Sequence, residues 1–600
     1  MAIIFTGRWG PKLTHLVEIK RRPRRRVIAA IVVAVLIAVG IVSCNFFGRT
    51  NGTLTYITHE LHFNHADPGR NYTGKDLAWF GSYMQRTLVA YDREPKEAGL
   101  IIVPDLATDI GRSNEEHTSW SFTLRKGSTF EDGSLITCED VKYGVSRVFA
   151  TSIITGGPTY AIRLLDIPVD ENGNSVYKGP YETANNDVAA FDRAVTCSPN
   201  HRTITFNLNQ TVIDFNYTVT FLAFGPVPKK DDTQEEYDWH PVSSGPYKIQ
   251  SYDHSKSMVL VRNDKWNPKA DPLRKNRAFP DKIIVKFNVD DNVRDKQMIA
   301  DSNPNAFNLD PLLSTNLTAI FDENGYPFEA FQNRVMNVYD PYVSYAAVNL
   351  EKLNCLPLRQ AIFYAKDFKS LIDLSGGDKL MGDPADGVIK PNMKFDYQVI
   401  TGTPDWNPAG NPDKAKILMN KAKVQCPALY QRATDPNRGI TYDIMNGNNA
   451  PKVASIWKQA MSRAGITMKF NFIDPGPYYS IVSDPTKQGD LSGAAWAPDW
   501  PNASTIIPEL FTKDGGFDLS RVENEPEYPA FLKRVNAALN QHDRVAQGQE
   551  WAALNQFIAD KVWVIPGIFT RTQLVWGSNL GGVFFWEPQG TASFGDIYVK

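Results

Sequence analysis

The sequence predicts a mixed α/β protein with more than one lobe. At 600 residues, the chain is longer than a single hydrophobic core usually organises. Alternating apolar residues indicate strands, as in residues 119–124, where Trp120, Phe122 and Leu124 share one face. Helical spacing of apolar residues occurs in the same chain, and this mixture favours the α/β class over all-α or all-β folds.

The remaining elements are read from composition and spacing. Further strand candidates are residues 54–58, 202–208, 258–261 and 281–287. Helices are expected from Pro357, which suits a first helical turn, and across residues 411–418. The clearest unit is residues 451–472, where a helical apolar stripe is ended by Gly465 and followed by an alternating strand.

Composition and charge indicate an acidic globular body with a basic amino terminus. Hydrophobic residues make up 42% of the chain and charged residues 22%, which are ordinary globular values. Residues 1–44 hold eight Lys/Arg and one Glu, so the net charge of −2 corresponds to −9 over residues 45–600. An acidic body argues against nucleic acid as a partner, because phosphate binding needs a basic face.

The amino terminus has the pattern of an export signal. Basic residues at 20–26 precede an apolar stretch at 27–42. This stretch has 16 residues, fewer than the ~20 of a spanning helix, and its end at Cys44 resembles the bacterial lipobox. We therefore expect Cys44 to be lipidated and residues 45–52 to tether the body to the extracytoplasmic face of a bacterial membrane. The alternative is an uncleaved transmembrane anchor.

Several phrases along the body resemble one family of bacterial receptors. The longest run is Pro-Asp-Leu-Ala at 104–107, Trp-Ser-Phe-Thr-Leu-Arg-Lys-Gly at 120–127, Phe-Glu-Asp-Gly at 130–133 and Thr-Cys-Glu-Asp-Val at 137–141, then Arg147. Ser-Gly-Pro-Tyr at 244–247, Arg-Gln-Ala at 359–361 and Trp-Ala-Pro-Asp-Trp at 496–500 keep the same order. From about residue 53 to the end, the chain resembles family 5 of the bacterial solute-binding proteins, the oligopeptide, dipeptide and nickel receptors.

This resemblance implies a periplasmic-binding-protein-like fold of class II in its large three-domain form. Two lobes are joined by a hinge, and an extra domain is inserted. The implied ranges are 53–91, 236–338 and 566–600 for lobe I, 92–235 for the inserted domain II, and 339–565 for lobe III. Hinge crossings are expected near Asp340 and Pro566.

The resemblance also implies a binding protein of an ABC importer. Such a receptor, a monomer without cofactor or metal, captures a peptide or related small solute as its lobes close and delivers it to a membrane permease. The alternatives are a secreted hydrolase, or a solute sensor or adhesion module on the same fold. The chain contains neither the G-x-S-x-G nor the H-E-x-x-H pattern that would favour a hydrolase.

The phrase at 496–500 implies a ligand site. In peptide-binding members of the family, its aspartate takes the ligand's α-ammonium, so Asp499 is the candidate here. Trp496 and Trp500 would form walls, and Asp67, in an early Asp-Pro turn, would lie at the rim of the cleft. The alternative is that the aspartates are turn or capping residues and the tryptophans are core. Asn502 stands where relatives often carry a further acid, which leaves the ligand class open.

Four cysteines remain besides the one in the signal: Cys138, Cys197, Cys355 and Cys426. Thiols outside the cell tend to pair, and four cysteines allow three pairings. Their neighbourhood favours Cys138 with Cys197 and Cys355 with Cys426, because each pair then falls within one implied lobe. Buried free thiols are the alternative. No C-x-x-C pattern occurs, so a structural zinc site is not expected.

Overall fold

The computed structural model describes residues 52–277, 279–403, 406–447, 449–474, 477–513 and 515–600. The predicted export signal and Cys44 lie outside these residues. The strands are β1 Thr53–Ile57, β2 Val89–Tyr91, β3 Ile102–Pro104, β4 Arg112–Ser113, β5 Ser119–Thr123, β6 Val195–Cys197, β7 Thr203–Asn207, β8 Tyr247–Asp253, β9 Ser257–Arg262, β10 Lys282–Lys286, β11 Ala306–Asn308, β12 Val335–Val348, β13 Gly382–Pro384, β14 Ile440–Met445, β15 Met468–Ile473, β16 Leu491–Trp496, β17 Val564–Val575, β18 Leu580–Gly581, β19 Phe585–Trp586, β20 Thr591–Ala592 and β21 Tyr598–Val599.

Helices are interspersed with these strands. They are α1 Gly74–Tyr83, α2 Cys138–Arg147, α3 Tyr160–Leu164, α4 Val188–Ala194, α5 Phe215–Thr218, α6 Asp291–Ile299, α7 Ser314–Leu317, α8 Leu356–Ala365, α9 Phe368–Leu374, α10 Asp378–Met381, α11 Pro412–Gln425, α12 Pro427–Thr434, α13 Ala450–Ser462, α14 Tyr478–Val482, α15 Ile507–Phe511, α16 Tyr528–Leu539 and α17 Arg544–Lys561. Within the part of the chain that the structure describes, none of them is both long and apolar enough to cross a membrane.

Three sheets organise the body, and the predicted α/β class is confirmed. A five-stranded sheet has the order β11-β1-β10-β9-β8, with β1 parallel to both of its neighbours. A four-stranded antiparallel sheet has the order β4-β5-β7-β6. A six-stranded mixed sheet has the order β13-β17-β12-β16-β14-β15.

Buried side chains form two large clusters. The first core surrounds the five- and four-stranded sheets and takes residues from 54–309 and 574–599, together with Trp500. The second core surrounds the six-stranded sheet and takes residues from 345–565. Two cores agree with the prediction that 600 residues exceed what one core organises.

The longest strands, β12 and β17, pair antiparallel and end near both cores. Their register shifts between Tyr339 and Val343, so the ladder is irregular there. The buried Lys390 ammonium donates to the carbonyls of Tyr342 and Thr570, at 3.2 and 2.8 Å, and to that of Asp340. Asp340 was the residue expected at a hinge crossing; bending there, and the domain boundaries, stay predictions.

The clearest unit predicted from the sequence is present in the fold. The unit at 451–472 is α13 followed by β15, and Gly465 between them has φ +77°, the left-handed conformation that glycine adopts without strain. The helix predicted across residues 411–418 is α11, and within it Ile417 is 56% exposed. Phe472 is 45% exposed because β15 is an edge strand of its sheet.

Two disulfide bonds tie helices to nearby elements. Cys138, the first residue of α2, is bonded to Cys197 at the end of β6. Cys355, which precedes α8, is bonded to Cys426, which follows α11. Each bond closes a loop within one core region, and closing such loops restricts the unfolded chain.

Candidate ligand site

The loop that carries Asp499 connects the two cores. It follows β16, whose last residue, Trp496, packs against the second core and stacks on Phe517 with ring centroids 5.3 Å apart. Trp500 is 5% exposed and belongs to the first core. The chain therefore passes from one core to the other within this phrase, and Asp499 lies at the junction.

Hydrogen bonds fix the shape of this loop. The Trp496 indole N–H donates to the Thr505 carbonyl at 2.8 Å, and the Asp499 backbone N–H donates to the Thr505 hydroxyl at 3.1 Å. Arg544 pairs with Asp396 through two bonds of 2.6 and 2.8 Å and also donates to a loop carbonyl at 3.2 Å. A loop held in this way presents its carboxyl group in a set position.

The Asp499 carboxyl group is held by two tyrosines of the first core region. The Tyr72 hydroxyl donates to Oδ2 at 2.8 Å, and the Tyr160 hydroxyl donates to the same oxygen. Tyr72 lies just before α1, and Tyr160 is the first residue of α3. Because both tyrosines use Oδ2, Oδ1 remains as the acceptor that can receive another donor.

Burial raises the pKa of Asp499 to about 7. The hydrogen bonds from Tyr160 and Tyr72 oppose this rise, the negative charge of Glu509 adds to it, and the positive charge of Arg163 opposes it. Among the described residues, no Lys, Arg or His lies within ion-pair distance of Asp499. A partly buried carboxyl group with a raised pKa and no cationic partner can bind an external cation, which would restore its ionised form.

Trp500 is fixed against Tyr160 and Asp214. Its ring centroid lies 5.0 Å from that of Tyr160, and its indole N–H donates to Asp214 at 2.6 Å. Asp214 also accepts from the Asn502 amide at 3.0 Å. Asn502 stands at the position where relatives often carry an acid. Here its amide donates to Asp214, which belongs to the first core region.

Asp67, the other predicted ligand residue, lies elsewhere. It is fully buried, and both of its carboxylate oxygens accept from the Arg147 guanidinium at 2.7 Å. Arg147 also bonds to Asp232 at 3.1 Å. Asp67 therefore has a cationic partner within the protein and is not in contact with Asp499, so the function proposed below does not use it.

The sequence reasoning missed Tyr72, Tyr160 and Asp214. Tyr72 lies close in sequence to Asp67, which was expected at the rim of the cleft. No other feature of the sequence indicated that Tyr72 belongs to the site. Tyr160 and Asp214 stand in no recognised phrase, and they are 339 and 286 residues away from the partners they contact, Asp499 and Trp500. Only the folded chain brings them together.

No group of three or more His, Cys, Asp or Glu among the described residues is placed to hold a metal ion. Two histidines near β1 contact carboxylates: His59 lies 3.0 Å from Asp310 and 3.4 Å from Asp291, and His65 lies 2.6 Å from Asp238.

Comparison with known proteins assigns the family. The model of bacterial extracellular solute-binding proteins, family 5 (middle region), matches residues 102–518. The chain belongs to this family. The match includes the phrase around Asp499, both disulfide bonds and the four-stranded sheet, so the predicted resemblance is confirmed over most of the body.

Relatives and solved structures extend the family assignment along the chain. The oligopeptide-binding protein OppA of Bacillus subtilis is 22% identical over 524 residues, which cover 86% of each protein. The clavulanic acid biosynthesis oligopeptide binding protein 2 superposes with a TM-score of 0.78 at 24% identity, over 92% of this chain and 96% of that one. The murein tripeptide binding protein MppA of Escherichia coli superposes with a TM-score of 0.70 at 18% identity, over 92% and 99% of the two chains. These structures share the fold of this solute-binding protein.

Proposed function

We propose that this solute-binding protein captures a peptide or related amine-bearing solute at Asp499 and delivers it unchanged to the permease of an ABC importer. Family membership supports the binding role. The names of the relatives, which include oligopeptide- and murein-tripeptide-binding proteins, support a peptide as the ligand. The protein acts as a receptor and not as an enzyme.

The observation that carries this proposal is the unpaired charge of Asp499. Its carboxyl group lies between the two cores and contacts tyrosine hydroxyls instead of a cation. Burying a carboxylate without a cationic partner is costly. A ligand's α-ammonium would supply that partner through Oδ1, so the binding energy of the ligand includes a charge-assisted hydrogen bond.

Contacts across the junction explain how binding would favour closure. Tyr72 and Tyr160 from the first core region bond to Asp499, and Arg163 forms a 2.6 Å ion pair with Glu509. A ligand that touches both sides is bound best when these contacts are formed, so it shifts the population toward the closed state. A change from mostly open to mostly closed requires roughly 5 kcal/mol of preference.

The test is a cycle of four titrations by calorimetry. A tripeptide and its N-acetylated form are each titrated into the wild-type protein and into Asp499→Asn. We expect the substitution to weaken binding of the free peptide at least tenfold, about 1.4 kcal/mol, because it removes the charge that pairs with the ammonium. The acetylated peptide should bind both proteins equally weakly, since it has no ammonium.

The same cycle can reject the proposal. Equal affinity of the wild-type protein for the free and acetylated peptides would show that the ammonium is not recognised. Turnover of the peptide during the titration, detected by mass spectrometry, would show an enzyme instead of a receptor.

We also propose that the protein is a monomer. Its body lies on the extracytoplasmic face of the membrane and is anchored there through lipid on Cys44. Membership of a family of extracellular proteins supports the location. We expect Cys44→Ala to leave the precursor uncleaved or to release the protein into the medium, because one residue carries the attachment. Fractionation of cells into membrane and soluble proteins measures this, and unchanged processing and retention would contradict lipidation.

A further inference from the structure

Strands β12 and β17 run from one core to the other. In β12, Val338 packs against the first core and Ala346 belongs to the second. In β17, Ile565 belongs to the second core and Leu574 to the first. The middle parts of both strands therefore lie between the cores, and a change in the angle between the cores would bend them.

The ladder between these strands is interrupted in that middle part. Residues 340–342 of β12 lie opposite Thr570 of β17, and the register shifts across them. An extra stretch of this kind leaves backbone groups without a ladder partner. Pro341 also lacks the N–H that a ladder bond would use. The carbonyls at the interruption therefore need donors from elsewhere in the protein.

The Lys390 side chain supplies those donors. It is 4% exposed, and its ammonium donates to the carbonyls of Tyr342 and Thr570, at 3.2 and 2.8 Å, and to that of Asp340. An ammonium has three N–H groups, one for each of these carbonyls, whereas a neutral amine has only two. The acceptors therefore fit the charged form of the lysine, and they come from both strands.

Negative charge close to Lys390 supports its charged form. The Asp340 carboxylate lies 3.6 Å from the ammonium, and it also accepts from the Tyr342 backbone N–H at 2.8 Å and from the Thr570 hydroxyl. Burial lowers the pKa of Lys390 to about 8, and Asp340 opposes that decrease. Most molecules therefore carry the ammonium at pH 7.

We propose that Lys390 is a positioning residue: its ammonium clamps β12 to β17 at the interruption and thereby favours the arrangement in which the cores meet at Asp499. Bending the strands there would separate carbonyls that now converge on one nitrogen. Removing an acceptor from a buried ammonium is costly, because its bonds are stronger than those of a neutral donor. The bond from Tyr160 to Asp499 across the junction is present in the same structure, so the clamp and the closed junction occur together.

The inference rests on the proposed function and adds a contribution that does not depend on the ligand. The apparent affinity for a ligand falls with the fraction of molecules that are in the binding-competent arrangement. Lys390 raises that fraction before a ligand arrives. It therefore strengthens binding through the two strands and not through a contact with the ligand.

The test measures the distance between the cores without ligand. p-Azidophenylalanine replaces two exposed residues, Val293 in α6, which packs on the five-stranded sheet, and Ile417 in α11, which packs on the second core. Fluorophores attached there report near and far arrangements of the cores by single-molecule energy transfer at pH 7. Lys390→Met should lower the ratio of near to far arrangements roughly tenfold, because it removes the charged donor and keeps an unbranched side chain.

Lys366→Met is the matched control. Lys366 is 5% exposed, and its ammonium donates to a β17 carbonyl, that of Pro566, at 2.9 Å. Because this bond does not join β17 to β12, the ratio should stay at the wild-type value. Asp340→Asn keeps the backbone carbonyls and removes the charge beside Lys390, so it should lower the ratio by less than Lys390→Met does. Circular dichroism establishes that each variant is folded.

The populations decide the inference. An unchanged ratio in Lys390→Met, an equal decrease in Lys366→Met, or a single arrangement in every protein would overturn it. If Lys390→Met does not fold, Asp340→Asn decides instead, and an unchanged ratio there would overturn it.

Calorimetric titration with trialanine separates the inference from the proposed function. The affinity should fall in Lys390→Met by the same factor as the fraction of near arrangements, and an unchanged affinity would overturn the inference. Failure of trialanine to bind any of the proteins would contradict the proposed function, whereas the ratio measured without ligand would still support or overturn the clamp.

Discussion

Asp67 is fully buried and Asp499 is partly buried, and the two aspartates differ in what holds them. Asp67 is locked to Arg147 by two bonds of 2.7 Å. Asp499 is bonded to two tyrosine hydroxyls, and burial raises its pKa to about 7. A buried carboxylate paired within the protein contributes to the fold, whereas one left without a cation is available to a ligand. Their surroundings, and not their residue type, separate the structural acid from the candidate binding acid.

The largest expected effect comes from making the same substitution at both positions. Asp67→Asn leaves the Arg147 charge buried with a weaker set of partners, so the free energy of unfolding should fall by about 3 kcal/mol. Asp499→Asn should not destabilise the protein at pH 8. Thermal and urea unfolding of the two variants measure this difference, and a comparable loss of stability in both would remove the distinction between the two acids.

The pH dependence of Asp499→Asn sharpens this comparison. A group whose folded pKa is raised contributes stability below its unfolded pKa of ~3.9, and loses that contribution as the pH rises through about 7. At pH 8, ionised Asp499 weakens the folded state without ligand, so the variant should then unfold at a higher temperature than the wild-type protein. The advantage should be smaller at pH 5.

Ligand affinity should follow the ionisation of Asp499. Since its pKa is about 7, most molecules hold a neutral Asp499 at pH 5.5 and an ionised one at pH 7.5. We expect a peptide to bind roughly tenfold more weakly at pH 5.5, while its own α-amino group, of pKa ~7.7–8.0, stays largely protonated over this range. Calorimetry at both pH values measures the change. Asp499→Asn is the control and should show no such dependence; a flat profile for the wild-type protein would contradict the assignment.

The smallest expected effect comes from removing one tyrosine hydroxyl. The bond from Tyr160 lowers the pKa of Asp499, so Tyr160→Phe should move the midpoint of the affinity–pH profile to higher pH. The affinity at pH 8 should change only a few-fold, because the charge that binds the ammonium remains. Tyr91→Phe is a matched control, since the Tyr91 hydroxyl reaches only the backbone carbonyl of Asp499, at 3.5 Å. A midpoint that stays in place in Tyr160→Phe would show that this hydroxyl does not tune Asp499.

Local patterns allowed much of the fold to be predicted. The alternation at 119–124 is β5, and the stripe ended by Gly465 is α13 followed by β15. Such elements are set by residues within one or two turns of each other, so their spacing is visible in the chain. The helix predicted across residues 411–418 is present as α11, but its inward-facing side was not predicted, because that side depends on the neighbouring helices; Ile417, for example, is 56% exposed.

The candidate site was predictable only where a recognised phrase carries it. Asp499, Trp496 and Trp500 come from one phrase of five residues, and their family resemblance identified them together. The same reasoning predicts a ligand role for Asp67 from its Asp-Pro turn, and it could not show that Asp67 pairs with Arg147, 80 residues away. The sequence shows that an aspartate is present. It does not show whether a cationic side chain of the protein already forms an ion pair with that aspartate.

The sequence by itself determined the α/β class, the family phrases, including the one that contains Asp499, and the acidic body. Tertiary structure decided which acid is paired with a cation. Arg147 reaches Asp67, and Tyr72 and Tyr160 reach Asp499, only after the sheets and helices pack. It also created the cavity beside Trp500, whose lining includes residues of α16 and of segments more than 300 residues earlier in the chain. The reason is physical: local structure follows from neighbouring residues, whereas burial, charge pairing and empty volume are properties of distant residues brought together.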